Sequence, residues 1–294
     1  MFRRRRFTLR LQSRTLALGE RTLVMGVLNV TPDSFSDGGL YLQTDAATTR
    51  AMELESAGAD ILDVGGESTR PGSAGISVEE EMRRILPVLE SLRGRLTIPI
   101  SIDTSRAEVA RAAAGIGAEI LNDVTALRRD SSLAEVASKH KLSLILMHMR
   151  GKPRTMQKRP FARDVMRDVS NGLRRAVAKA RRAGVPKSQI VLDPGIGFGK
   201  SYEQNFELLS RLSELARLGF PLLIGTSRKS FIGAALGGVS EGQRIWGTAA
   251  TVVASILGGA HIVRVHDVAE VVQVTRIADA VLNPKLLATG TRPR

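Results

Sequence analysis

The chain has 294 residues, 43% of them hydrophobic, with 43 Lys and Arg against 29 Asp and Glu, a formal net charge of +14. That apolar content can bury the core of one large domain or two small ones, and the basic excess suits nucleic acid, anionic lipid or a phosphorylated metabolite without choosing among them. The absence of Cys excludes disulfides, thiolate catalysis and cysteine metal sites, and no window reaches the roughly 18 uninterrupted apolar residues of a membrane span.

The first nineteen positions, MFRRRRFTLRLQSRTLALG, hold several Arg and no acidic residue, superficially like a transit peptide. The alternation of apolar and polar residues after Arg6 predicts instead a short hairpin leading into the first core strand, with Arg3 to Arg6 as a solvated tail before it. Beyond Phe2 and Phe7 no aromatic residues interleave with these Arg, which argues against nucleic-acid stacking. The expected division is a basic tail and hairpin over 1–22, a barrel over 23–285 and a C-terminal tail over 286–294.

Apolar, β-rich runs then recur at Leu23 (LVMGVL), Ile61 (ILDV), Pro99 (PISID), Glu119 (EILND), Leu144 (LILMH), Ile190 (IVLDP), Leu222 (LLIGT) and Ile262 (IVRVHD). Helical patterns such as DAATTRAMELESAG, SVEEEMRRILPVLESLRG, SRAEVARAAAGIG, SLAEVASKHK and DVAEVVQVTRIADAVL follow them, with apolar residues three and four apart and Gly often closing the helix. Strands without polar alternation imply a parallel sheet covered on both faces. Eight such units predict a (β/α)8 TIM barrel with a short N-terminal hairpin, and a doubly wound open sheet is the alternative.

Polar residues close nearly every strand: Asn29, Asp63 with Glu67, Asp103, Asn122 with Asp123, His148, Asp193, Ser227 with Arg228 and Lys229, and Arg264 with His266 and Asp267. In a barrel these ends share the face that carries the active site, which favours the barrel over the open sheet. NVTPDSFSDGG, Asn29 to Gly39, is then the first βα loop over that face.

LDPGIGFGKS, Leu192 to Ser201, comes within one residue of a phosphate-binding P-loop, but Pro194 occupies the required first Gly position. Proline removes an N–H that a phosphate cradle needs, so glycines that admit a flat ligand beside Asp193, or that simply make a tight turn, fit better. Asp103, Asn122 and Asp193 suit either a structural network or a ligand edge rich in N–H donors. Arg228, Lys229, Arg264 and His266 follow the last two strands, a frequent barrel phosphate site, and Ser227 with the next helix offers further donors. Asn29 is an oxygen ligand of the kind Mg2+ accepts when phosphate and water complete its shell. GGESTRPGS, Gly65 to Ser73, and MHMRGKPRTMQ, Met147 to Gln157, read equally as functional or plain loops, with Met147 and Met149 as possible core filler.

From Val24 to Leu282 the chain resembles the bacterial dihydropteroate synthases, with MGVLNVTPDSFSDGG, DVGGESTRPG, SIDTS, NDV, LMHMRGKPRTMQ, LDPGIGFGK, SRKS and RVHDV in the family's order. The resemblance implies a transferase of folate synthesis that joins 4-aminobenzoate to (7,8-dihydropterin-6-yl)methyl diphosphate, giving 7,8-dihydropteroate and diphosphate. It implies pterin binding by Asp103, Asn122, Asp193 and Lys229, and diphosphate binding by Asn29, Thr69, Arg264 and His266, with Mg2+ on Asn29. Phe35, Thr69, Arg70, Pro71, Phe198 and Ser227 would hold aminobenzoate. Asp33, Lys229 and Arg264 would be catalytic, Asp33 in loop closure or cation stabilisation. Small-molecule substrates, no nucleic acid or membrane partner, a homodimer through the last helices and a cytoplasmic location also follow. Ile196 stands where some relatives carry an aromatic residue. A corrinoid-linked methyltransferase barrel would share the Asp and Asn cluster but not SRKS and RVHD, and a paralogue that binds pterin without catalysis would have lost some of these residues.

Overall fold

A computed structural model describes residues 4–31, 40–68, 75–151, 155–156, 160 and 162–285. Asp33, Phe35, Thr69, Arg70, Pro71 and the tail at 286–294 lie outside the described residues. The chain opens with the expected hairpin, β1 (Phe7–Arg10) antiparallel to β2 (Thr15–Leu18). Its apolar side chains Leu9 and Leu18, with Leu11 beyond β1, are buried against one end of the barrel. The solvated-tail expectation fails at Arg4, which is 9% exposed. Its guanidinium donates to Thr22 Oγ1 at 2.7 Å, to the Ala260 carbonyl at 3.0 Å and to Asp279 Oδ1 at 2.8 Å. A charge placed there must be paired, because burial of a lone guanidinium is prohibitive.

Eight parallel strands follow: β3 (Leu23–Asn29), β4 (Ile61–Gly65), β5 (Ile100–Asp103), β6 (Ile120–Asp123), β7 (Ser143–Met147), β8 (Ile190–Asp193), β9 (Leu223–Ile224) and β10 (Ile262–Val265). Their order is β8-β7-β6-β5-β4-β3-β10-β9. A parallel bridge from Leu192 to Leu222, with the Leu192 N–H donating to the Pro221 carbonyl at 2.9 Å, joins the two ends of that order. Closure excludes the open-sheet alternative. The predicted LLIGT strand is the shortest, two residues plus this bridge.

Successive residues of a strand face opposite sides, and two core clusters sort them accordingly. Met25, Ile61, Ile120, Ile145, Val191, Leu223 and Ile262 meet the hairpin inside the barrel. Leu28, Leu62, Val64, Ile102, Leu121, Leu144, Leu192 and Val263 face outward into the helix layer. The hairpin therefore plugs the N-terminal end, and the strand C-termini lie at the opposite end.

The helices are α1 (Leu40–Ser56), α2 (Val78–Leu92), α3 (Ala107–Ile116), α4 (Leu133–Lys139), α5 (Val165–Arg182), α6 (Tyr202–Ser210), α7 (Leu212–Ala216), α8 (Ser230–Ala235), α9 (Ile245–Leu257) and α10 (Val268–Leu282). Their starts carry local signals. Ser77 Oγ accepts the Glu80 N–H at 3.1 Å ahead of three acidic residues in the first turn of α2, and Ser201 with Gln204 forms a capping box on α6. This box fixes where the glycine-rich loop after β8 must end. No helix among the described residues is long and apolar enough to cross a membrane.

Candidate active site

Inside the barrel, the parity that gives apolar residues near the hairpin gives polar ones two residues later: Ile61 is followed by Asp63, Ile120 by Asn122, Val191 by Asp193 and Ile262 by Arg264. Strand register places Asn29 beside Gly65, Gly65 beside Asp103, and Asp103 beside Asn122, so these positions form one tier of the mouth. Arg264 pairs with Met25, which pairs with Ile61, two inward-facing layers below that tier. Its side chain spans that gap: Nε donates to Asp63 Oδ2 at 2.6 Å and Nη2 to Asp103 Oδ2 at 2.9 Å. Asn122 Nδ2 donates to the same Asp63 oxygen at 3.1 Å.

This network brings together residues from four strands. The resemblance assigns Arg264 to the diphosphate; the fold lays it directly between two of the carboxylates. The resemblance also gives Asp63 no role, although Asp63 is fully buried at the centre of the network. The signal was its parity with Ile61. Asp63 Oδ1 has no hydrogen-bond partner among the described residues.

Electrostatics follow from depth. Burial pushes the Asp103 carboxyl up to about 7 despite Arg264, and pushes Asp193 up to about 6 against the Gly195 N–H, Lys229, Lys200 and Arg264. For Arg264 burial acts downward, but Asp63, Asp103 and Asp193 together raise its guanidinium. The mouth thus contains acceptors poised near neutrality beside a fixed cation.

The loop after β8 approaches its neighbours closely. The Gly195 N–H donates to Asp193 Oδ1 at 2.6 Å, and Gly195, Gly197 and Gly199 all have positive φ, 66°, 84° and 66°. A Cβ on Gly195 would lie 1.9 Å from the His148 carbonyl oxygen, so only glycine fits. The loop presents the Phe198 ring to the Lys229 ammonium, 4.0 Å from the ring centroid, within cation–π range. Phe198 also packs on Val124, Met147, Met149 and Met156. Ile196 is buried in the outer core cluster.

Lys200 shows why the P-loop resemblance fails. Its ammonium is buried and donates to the carbonyls of Gly195, Phe198 and His148. In a P-loop that lysine would serve phosphate.

Across the mouth, Ser227 Oγ lies 3.0 Å from His266 Nδ1 and accepts the His266 N–H at 3.2 Å, tying the loop after β9 to the end of β10. Burial, then Arg264, Arg228 and Lys229, holds the His266 imidazole down at about 3, so it stays neutral at physiological pH. Arg228 has φ 60°, unusual for a residue with a Cβ. It is fixed there by a two-pronged contact with Asp267, Nε to Oδ2 at 3.0 Å, and by Arg244 Nη1 donating to its carbonyl at 2.8 Å. These clamps place Ser227 and Lys229, the residues on either side.

Two strand-end residues leave the site. Asp123 accepts from Ser105 Oγ and from the Thr125 N–H and hydroxyl, at 2.9, 2.8 and 2.8 Å, a structural network. His148 packs on Gly172 of α5, its Nε2 3.7 Å from Asp168 Oδ2, and burial holds its imidazole down at about 2. Flanking residues 69–74, Glu67 meets Arg129 Nη1 at 3.0 Å and Arg106 Nη2 at 3.5 Å, while Arg106 also donates to the Ile76 carbonyl.

Asn29 at the end of β3 is half-buried. No group of three or more His, Cys, Asp and Glu able to hold a metal occurs among the described residues. This donor set suits Mg2+ only as a shared ion, with one carboxamide oxygen from the protein and the remainder from phosphate and water.

The sequence matches the pterin binding enzyme family over residues 25–266. A dihydropteroate synthase of Synechocystis sp. is 50% identical over 262 residues, covering 89% of this chain and 91% of that protein. Among solved structures, a dihydropteroate synthase from Clostridium difficile determined in the presence of pteroic acid is 46% identical with TM-score 0.85, covering 90% of this chain and 98% of that one. The Xanthomonas albilineans dihydropteroate synthase with 4-aminobenzoic acid is 41% identical with TM-score 0.88, covering 95% and 99%. A barrel whose mouth combines buried carboxylates, Asn122, Lys229 and Arg264 with these matches along nearly its whole length belongs to the dihydropteroate synthase family of pterin-binding enzymes.

Proposed function

We propose that this barrel mouth joins 4-aminobenzoate to (7,8-dihydropterin-6-yl)methyl diphosphate, forming 7,8-dihydropteroate and diphosphate. The observation that carries the reading is the cluster of Asp103, Asn122 and Asp193, acceptors sunk in one mouth with the Arg264 guanidinium among the carboxylates and the Lys229 ammonium over Phe198. A pterin edge offers ring N–H and exocyclic amine donors together, which such acceptors match. Lys229 and the methionine-lined wall beside Phe198 flank the flat ring.

In the reaction the methylene carbon loses its bond to the diphosphate oxygen and gains one to the aniline nitrogen, which gives up a proton. Aniline is a weak nucleophile, so departure of diphosphate must be well advanced at the transition state, and positive charge spreads into the pterin. Arg264, His266 and Asn29 stabilise the leaving anion by position and hydrogen bonding. Neutral His266 serves as donor through one ring nitrogen while Ser227 fixes the other. Asn29 would hold Mg2+, which would supply further charge neutralisation. Phe198 and Ser227 border the aminobenzoate side. The roles of Asp33 in closure or cation stabilisation, and of Phe35, Thr69, Arg70 and Pro71 with aminobenzoate, complete the reading.

The test is product formation: purified protein with pterin diphosphate and Mg2+ should release diphosphate and form dihydropteroate only when 4-aminobenzoate is added. Tight pterin binding with no product would turn the reading toward a binding protein. A homodimer through α9 and α10 belongs to the same proposal, supported by Trp246 at 80% exposure and Ile277 at 70% on these two packed helices. Sedimentation should give a dimer that Trp246→Asp dissociates; a monomeric wild type would refute it. A cytoplasmic location is proposed from the charged substrates, which do not cross membranes unaided.

A further inference from the structure

Lys200 is 2% exposed, yet its three partners are all backbone carbonyls: Gly195 at 2.8 Å, Phe198 at 3.0 Å and His148 at 3.3 Å. An ammonium in such a place is costly, and burial pulls it down to about 7, with Asp193 the leading opposing influence. A methionine would fill the same channel without that cost, so packing alone does not account for the residue.

The three carbonyls are informative. Gly195 accepts Lys200 through its oxygen and donates its N–H to Asp193 Oδ1 at 2.6 Å. Phe198 accepts Lys200 through its oxygen and sets its ring under the Lys229 ammonium. His148 belongs to the neighbouring strand end, against which Gly195 lies too closely for any side chain. One side chain therefore fixes two of the points at which the loop lies against residues assigned to pterin, and anchors them to the adjacent strand.

We propose that Lys200 is a positioning residue for the reaction, holding the loop over 195–199 on the end of β7 so that Asp193 and Lys229 meet the pterin in register. The inference rests on the reading of the site given above. Its test compares Lys200→Met, which keeps the stem and removes the donors, with Lys200→Gln, which keeps two N–H donors without charge. Folding is followed by circular dichroism and melting, affinity by calorimetry with the pterin diphosphate, and kinetics by diphosphate release.

We expect Lys200→Met to fold and to lose about tenfold or more in pterin affinity and in kcat/KM for 4-aminobenzoate, and Lys200→Gln to recover part of both. Should Lys200→Met alone fail to fold, the loss in Lys200→Gln carries the same meaning. Values for Lys200→Met within about twofold of wild type, or Lys200→Gln no better than Lys200→Met, would overturn the proposal. Failure of both to fold would overturn it too, making Lys200 a stability residue. Wild-type turnover tests the proposed function separately, and pterin affinity reports on Lys200 whether or not turnover is seen.

Discussion

Arg264 bridges two carboxylates with one guanidinium, its Nε 2.6 Å from Asp63 Oδ2 and its Nη2 2.9 Å from Asp103 Oδ2. Asp63 is completely buried, so the pair has no solvent to fall back on. Arg264→Met removes the only cation among the described residues that contacts both, and the expected cost is about 3–5 kcal/mol of stability, typical of an orphaned buried ion. Turnover should fall at least about a hundredfold if the same guanidinium holds the leaving group as proposed. Chemical denaturation and steady-state rates check this. Adding Asp63→Asn should cost less than the sum of the two single changes, since each variant already breaks the same contact.

Pterin binding should depend on pH through Asp193, raised by burial to about 6. The carboxylate is the acceptor, so protonation as pH falls through 6 removes it. As pH falls below 6 Asp193 should cost affinity, approaching about tenfold per pH unit, on top of the decline that Asp103, raised to about 7, imposes from higher pH. Stability of the unliganded protein has the opposite sign. A carboxyl raised on folding contributes most below its unfolded value and loses that contribution as pH rises through about 6. Calorimetry between pH 5.5 and 8 on wild type and Asp193→Asn tests the first statement; identical profiles would remove Asp193 from the binding step.

The barrel was legible in the sequence because its grammar is local: eight apolar runs, helical patterns often closed by Gly, and polar residues at strand ends. The hairpin was legible from alternation. What escaped was pairing across the barrel. Arg264 and Asp103 are 161 positions apart, and no local pattern says that one reaches the other. Lys200 escaped for the same reason: its partners are backbone atoms brought near by the loop, so its type suggested phosphate while its burial dictated carbonyls. Arg4 looked solvated because its run of four Arg is indistinguishable in sequence, and only docking against Thr22 and Asp279 singles it out.

Close approach of the loop after β8 to β7 predicts a graded response to glycine substitution. Gly117 ends α3 with φ 120° but has no atom within 4 Å of an added Cβ, so Gly117→Ala should cost only the left-handed backbone penalty, about 1–2 kcal/mol. Gly195→Ala adds a collision 1.9 Å from the His148 oxygen, and should cost about 3 kcal/mol or more. It should also weaken pterin binding, because the Gly195 N–H supports Asp193. Equal midpoints for the two variants in urea unfolding would contradict the packing described for this loop.

Within the N-terminal Arg run the structure predicts sharp inequality. Arg6 reaches Glu20 at 3.0 Å with both side chains more than half exposed, and such surface pairs contribute about 0–1 kcal/mol. Arg4 instead donates to Asp279, whose Oδ2 also receives the Thr22 N–H at 2.6 Å and whose Oδ1 receives the Thr22 hydroxyl at 2.8 Å. Asp279 sits on α10, so this contact ties the segment before the hairpin to the final helix of the barrel. Arg4→Met should therefore cost about 3 kcal/mol, by stranding the Asp279 charge, whereas Arg6→Gln should leave the urea midpoint nearly unchanged. Asp279→Asn in the Arg4→Met background should recover part of the loss, because the neutral amide no longer needs a cation. Equal effects from Arg4→Met and Arg6→Gln would mean the whole run is solvated and the Arg4 anchor does not form in solution.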